Sequence, residues 1–161
     1  MKLFLLFAIV FSNVSLNQDS KQLKNNIIKS FKDSSKSYSF DCFWLICNND
    51  SSYYLSDTIK LYNHENYYYD PSYCCEFVKW EFEGSSKFRL SETMICKEPP
   101  TSKSYANNLY KIKWDSDRTD LYLTIVNTKK KNVVKFLVLD LYEEKLWNDI
   151  HLCKVLKLKR I

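Results

Sequence analysis

The residues of this chain whose types could do chemistry are six cysteines, two histidines, one run of alternating carboxylates and one lysine triplet. The cysteines, Cys42, Cys47, Cys74, Cys75, Cys96 and Cys153, form an even set, which in an exported chain points to disulfides. Cys74 and Cys75 face opposite ways if the chain there is extended, so each predicts a different distant partner, and Cys96 and Cys153 are the candidates. Cys42 and Cys47 also face opposite ways, so a bridge between them needs a bend. His64 and His151 lie far from any cysteine cluster, so the ligand spacing of a zinc site is missing and no metal or cofactor is expected. Asp115-Ser-Asp-Arg-Thr-Asp120 places carboxylates at alternate positions like the start of a calcium loop. It lacks the central glycine and the terminal glutamate of such loops, and a hairpin turn is expected instead. Catalysis by a nucleophile needs a base and a group that orients the base. Nothing here assembles that set, and no Gly-rich phosphate loop or Gly-x-Ser-x-Gly elbow is present, so no catalytic residue is expected.

The lysines are the other charged feature. The net charge of +5 is spread along the chain, and only Lys129–Lys131 and the tail Lys154–Arg160 are locally dense. Such clusters can bind anionic surfaces, heparin-like chains or nucleic acid, but a lysine-rich hairpin tip is ordinarily a solvated turn that also protects a strand edge. Export argues against nucleic acid as a partner. The export signal itself is Met1-Lys-Leu-Phe-Leu-Leu-Phe-Ala-Ile-Val-Phe11, a basic start and an apolar run of signal-peptide length that stops at Ser12-Asn13. Cleavage near Ser15 or Asn17 leaves a mature chain with no further apolar stretch long enough to span a bilayer. The expected organisation is a signal peptide over 1–17, a helix and linker over 18–37, and a β domain over 38–161. Asn49-Asp-Ser51 is a glycosylation acceptor, which if used sits at the surface.

The elements that must position these residues are mostly strands. Asp19 to Lys36 carries Leu23, Ile27 and Phe31 four residues apart with Ile28 alongside, a single helical stripe that starts near Ser20; Asp19 and Gln22 resemble a capping box. Tyr38–Cys47 is a nearly continuous apolar strand, followed by a loop over Asn48–Ser52. Thr58–Asn63 is a second strand. Val78, Trp80 and Phe82 alternate with Lys79 and Glu81, and across the Glu83–Ser86 turn Phe88, Leu90 and Met94 alternate with polar residues, completing a hairpin. Pro99-Pro100 stops that strand, and a polar connection leads to Asn108. Leu109–Trp114, Leu121–Val126 and Val133–Leu139 follow, joined by loops so short that only antiparallel neighbours are possible. Glu143–Asp149 reads as a helical turn and Ile150–Leu158 as a last strand. With one glycine in the chain, the turns are expected to be of longer or bulged types.

The fold expected from these elements is mostly β: about eight antiparallel strands in a meander, closing into a barrel, with a short N-terminal helix. Aromatic residues make up 16% of the chain, and Trp80, Phe82, Phe88, Tyr110, Trp114 and Phe136 fall on the inferred inward faces. There they either line a cavity for an apolar ligand or simply fill the barrel. The tyrosines at 67–69 could likewise pave a binding surface.

The stretch Leu61-Tyr-Asn-His-Glu-Asn-Tyr-Tyr-Tyr-Asp-Pro-Ser-Tyr-Cys-Cys75 resembles a segment of the salivary lipocalins of blood-feeding arthropods, where an aromatic and an Asp-Pro precede a disulfide cysteine that opens the next strand. The resemblance implies a lipocalin-like barrel that binds small molecules such as biogenic amines or lipids, or that blocks host proteins. The expectation is therefore a secreted protein that sequesters a small hydrophobic or amphipathic ligand in its interior. The alternative is an extracellular protein-binding effector with a solid core and a contact surface built from loops.

Overall fold

The computed structural model of the chain describes residues 19–36, 43–63, 74–96, 98–145 and 152–161. The signal segment, Cys42, His64, His151 and the tyrosines at 67–69 lie outside the described residues.

Helix α1 spans Ser20–Ser34, and the Asp19 carboxylate caps it by accepting the Lys21 N–H at 3.1 Å. Its apolar stripe is the one the spacing predicts: Leu23, Ile27 and Phe31 are buried. Eight strands follow, with a short helix α2 (Ser52–Leu55) between the first two: β1 Phe43–Cys47, β2 Thr58–Asn63, β3 Glu76–Phe82, β4 Lys87–Met94, β5 Thr101–Asp117, β6 Asp120–Asn127, β7 Val133–Lys145 and β8 Leu152–Arg160. They close into an antiparallel barrel of order β1-β2-β8-β7-β6-β5-β4-β3. From β3 to β8 the strands form a meander, but β1 lies between β2 and β3, pairing Leu45 with Tyr62 on one side and Trp44 with Trp80 on the other. The β2–β3 connection, residues 64–75, therefore skips a strand. Its length permits this, whereas the loops later in the chain do not.

Alternation sorts the side chains. Trp44, Ile46, Ile59, Leu61, Val78, Trp80, Phe82, Phe88, Leu123, Phe136, Leu156 and Leu158 share one buried cluster with the stripe of α1. Burying this much apolar surface is the main force that closes the barrel. The two ends differ: α1 covers the end near Trp44, Phe82 and Trp114, and α2 sits at the end where β8 finishes, with the Asp57 carbonyl accepting the Arg160 N–H.

Several local expectations are corrected. The polar stretch after Pro100 is the start of β5, with Thr101–Ser104 paired to Ser91–Met94; it projects past the core, so it carries no apolar alternation to betray it. Glu143–Lys145 is not a helical turn but the end of β7, opposite Leu152–Lys154. The loop after Asn48 contains α2, whose Tyr53 N–H bonds to the Asn48 Oδ1 at 3.0 Å. The β5–β6 turn is only two residues long and uses Arg118 at φ 47° where glycine is usual. Two disulfides form, Cys47–Cys74 and Cys75–Cys96. The doublet does reach two separate partners, but Cys74 takes Cys47, and Cys153 remains a buried free thiol rather than a bridged one. Cys153 lies on the outer side of β8 beside Val155, against Tyr62 and Tyr142. No helix among the described residues is long and apolar enough to cross a membrane.

Candidate ligand-binding site

The six aromatic residues singled out in the sequence come together inside the barrel, and they pack against one another. Trp80 stacks on Phe88 at 4.3 Å, Phe88 on Tyr110 at 5.3 Å, and Phe136 stands 6.4 Å from Trp80. At the α1 end, Phe31 enters the barrel and stacks on Phe82 at 4.0 Å, meets Trp44 edge-on at 5.6 Å and approaches Trp114 at 6.3 Å. Trp80, Phe82, Phe88 and Phe136 are buried, while Tyr110 and Trp114 are partly buried at the margin of the same cluster. Offset and edge-on ring pairs at these separations add attraction beyond area burial, so this column of rings is a cohesive core.

Polar groups at the α2 end of the column pair with one another, except that the buried Arg160 Nε has no hydrogen-bond partner among the described residues. The Trp80 Nε1–H donates to the Tyr53 hydroxyl at 3.1 Å, and burial pushes the Tyr53 phenol well above its ordinary range. Arg160 reaches over the Phe136 ring, 5.1 Å from its centroid, and donates through Nη2 to the Tyr53 carbonyl at 2.7 Å. The α2 end of the barrel is thereby closed by a cation lying on an aromatic face.

The α1 end is built differently. Ser30 and Ser34 sit on the buried side of α1, where the apolar stripe would otherwise continue. The Ser34 hydroxyl accepts from Trp44 Nε1 at 3.3 Å and from Asn63 Nδ2 at 2.9 Å, and donates to the Ser30 carbonyl at 3.0 Å. Lys154 Nζ reaches the Ser30 hydroxyl at 3.4 Å. This polar seam holds the helix to the barrel rim. Beside it opens a recess of about 400 Å³, lined by Asn26, Lys29 and Ser30 of α1, by Leu141, Tyr142 and Glu143 of β7, and by Lys154 of β8. The recess presents two ammonium groups, one carboxylate, a hydroxyl and two apolar or aromatic surfaces, the mixture that orients an amphipathic molecule. A smaller recess of about 160 Å³ lies near the α2 end among Asn48, Glu76, Glu92 and Lys103. None of the six predicted aromatic residues lines either recess.

Of the recess residues, sequence reasoning names Lys154 only as the start of the basic tail and Glu143 only as the start of a helical turn, and none as a ligand contact. A signal was present: Ser30 and Ser34 follow Ile27 and Phe31 by three residues each, so two hydroxyls interrupt an apolar stripe.

The glycosylation acceptor Asn49 is exposed in the turn after β1, and its Oδ1 accepts the backbone N–H groups of Cys75 and Glu76 at 2.8 and 3.0 Å. It thus ties the β1 turn to the start of β3 between the two disulfides. No known protein family matches this chain, and neither does any curated protein or solved structure.

Proposed function

We propose that the chain is an exported, non-catalytic binding protein of lipocalin-like design that sequesters a small amphipathic molecule at the helix-covered end of its barrel. The observation that carries this reading is the recess between α1 and the β7–β8 rim, where Lys29 and Lys154 stand beside Leu141 and Tyr142 in about 400 Å³. That volume lies in the range of small-ligand pockets, although the recess is open to solvent along Asn26, Lys29 and Glu143. Two ammonium groups against the single carboxylate of Glu143, which stands opposite Lys154, leave a net positive lining that favours a ligand with an anionic head and an apolar body. Export rests on the apolar leader and on the two disulfides, which persist in oxidising compartments. The interior aromatic residues, in this reading, form the floor that keeps the barrel rigid.

The test is native mass spectrometry of the oxidised, secreted protein, followed by denaturation and analysis of what is released. A co-purifying small acid that is lost in Leu141→Trp, which fills the recess, and weakened in Lys154→Ala supports the reading.

The column of rings inside the barrel favours a second reading, an extracellular effector that acts on another protein through its surface. An empty protein that binds none of a broad panel of fatty acids and amines, by tryptophan fluorescence, would move the assignment there.

A further inference from the structure

The barrel wall carries a stripe of cations that the recess does not use. On the outer side of the sheet, Lys87 of β4 stands directly opposite Lys111 of β5. Two residues further along β5, Lys113 faces Thr124, which faces Lys135 of β7, and on β8 Lys159 is the partner of Leu137. The tip of the β6–β7 hairpin adds Lys129–Lys131, its backbone held by the buried Asn127, whose Oδ1 accepts the N–H groups of Lys129 and Lys130 at 3.0 and 2.8 Å. All of these lysines except Lys135 are exposed, and Lys135 lies over the Tyr122 ring at 4.3 Å. From β4 to β8 the stripe crosses four inter-strand steps, about 19 Å at the usual strand spacing.

Three features distinguish this stripe from an ordinary solvated surface. Like charges directly opposite in a sheet are destabilising, and Lys87–Lys111 is such a pair. Among the described residues the ion pairs are Lys60–Glu144 and Arg89–Glu83, so no carboxylate neutralises the stripe. The nearby carboxylates border the stripe on the α1 side: Asp117 and Asp120 flank the β5–β6 turn, and Asp115 follows Lys113 on the outer face of β5, in the row Asp115–Tyr122–Leu137–Lys159. A modest net charge is thus segregated into a basic stripe with an acidic border, an arrangement that concentrates positive potential along a line.

We infer that this stripe binds a linear sulfated polysaccharide laid diagonally across β4–β8. A single-stranded nucleic acid would need free aromatic faces for its bases. The one ring within the stripe, Tyr122, is covered by the Lys135 ammonium. Sulfates make no such demand and are met by point charges at intervals. The site is separate from the recess, so a ligand found or missing there leaves it unaffected.

The experiment compares salt elution of the oxidised protein from immobilised heparin and from a plain sulfonate resin, with Kd values for a heparin oligosaccharide measured beside it. The wild-type protein is expected to need more salt on heparin than on sulfonate. Lys111→Gln/Lys113→Gln/Lys135→Gln removes that difference and weakens the oligosaccharide Kd by about ten-fold or more, since the lost contacts are electrostatic. Lys21→Gln/Lys32→Gln/Lys36→Gln, which removes the same charge from exposed sites on and just after α1, leaves the wild-type behaviour. Circular dichroism confirms that both variants fold. Equal loss in the two triple variants, no preference for heparin over sulfonate, or competition by a single-stranded oligonucleotide as strong as that by heparin would each overturn the assignment.

Discussion

Asn49 has a role in the fold and also heads the acceptor sequence Asn49-Asp-Ser51, and the two can be tested separately. Its Oδ1 receives two exposed backbone N–H groups from the start of β3, so Asn49→Ala hands both to water and is expected to lower stability by about 0.5–1.5 kcal/mol in urea unfolding. Ser51→Asn removes only the acceptor sequence and suits the left-handed φ of 56° at that position, so it abolishes any glycan mass while leaving unglycosylated stability within about 0.5 kcal/mol. Cys153 allows a second test. Burial, helped by the Glu144 carboxylate, pushes its thiol up to about 11. An unfolded thiol titrates at about 8.5, so the unfolded state loses its proton first. The contribution of Cys153 to stability is therefore intact below about pH 8.5 and is lost as pH rises through about 11. Cys153→Ala is expected to flatten the alkaline fall in urea midpoint relative to wild type, and alkylation of Cys153 at pH 8 is expected only after unfolding. The sequence shows that cysteines pair but not how, because bridging depends on which strand ends meet. Cys47, Cys74, Cys75 and Cys96 all fall at strand ends on the α2 side of the barrel, whereas Cys153 begins β8 at the opposite end.

At the scale of elements, legibility follows burial. Where one face of a strand is buried, as in β3, β4 and β6, alternation locates it within a residue or two. Where strands run beyond the core, as at residues 101–104 and 143–145, both faces are polar and the pattern disappears. Helix α1 was legible for the same reason, since Leu23, Ile27 and Phe31 repeat every four residues. What the stripe does not reveal is that Phe31 enters a barrel mouth and stacks on Phe82. Phe31→Ala would leave a cavity where four rings meet and is expected to cost about 3–5 kcal/mol in urea unfolding. It also loosens the wall of the recess that α1 supplies, so ligand retention should fall with it. The β4–β5 pair gives the opposite sign. Lys87→Glu converts a repulsive cross-strand pair with Lys111 into an attractive one, and should raise stability by about 0.2–1 kcal/mol while weakening heparin binding.

The whole molecule is a barrel fastened in different ways at its two ends, which makes stability and binding separable. Closure and strand number follow from the strand count and the short loops after β3, but the position of β1 between β2 and β3 does not. Only the length of the 64–75 connection admits that order, and length permits a skip without requiring one. The two disulfides lie at the end opposite α1 and join the starts or ends of β1, β3 and β4. Each closes a loop of the size for which chain entropy gives roughly 3 kcal/mol of stabilisation. Cys75→Ser/Cys96→Ser should therefore shift the urea midpoint down by an amount equivalent to about 3 kcal/mol. The recess is lined by α1, β7 and β8 and includes none of the bridged residues, so a ligand that occupies it should be retained by the still-folded double variant with unchanged affinity. Phe31→Ala should lose both stability and ligand. If the disulfide variant instead releases the ligand while its circular dichroism remains native, the two ends are coupled and the binding site extends through the barrel to the Tyr53–Trp80–Arg160 closure.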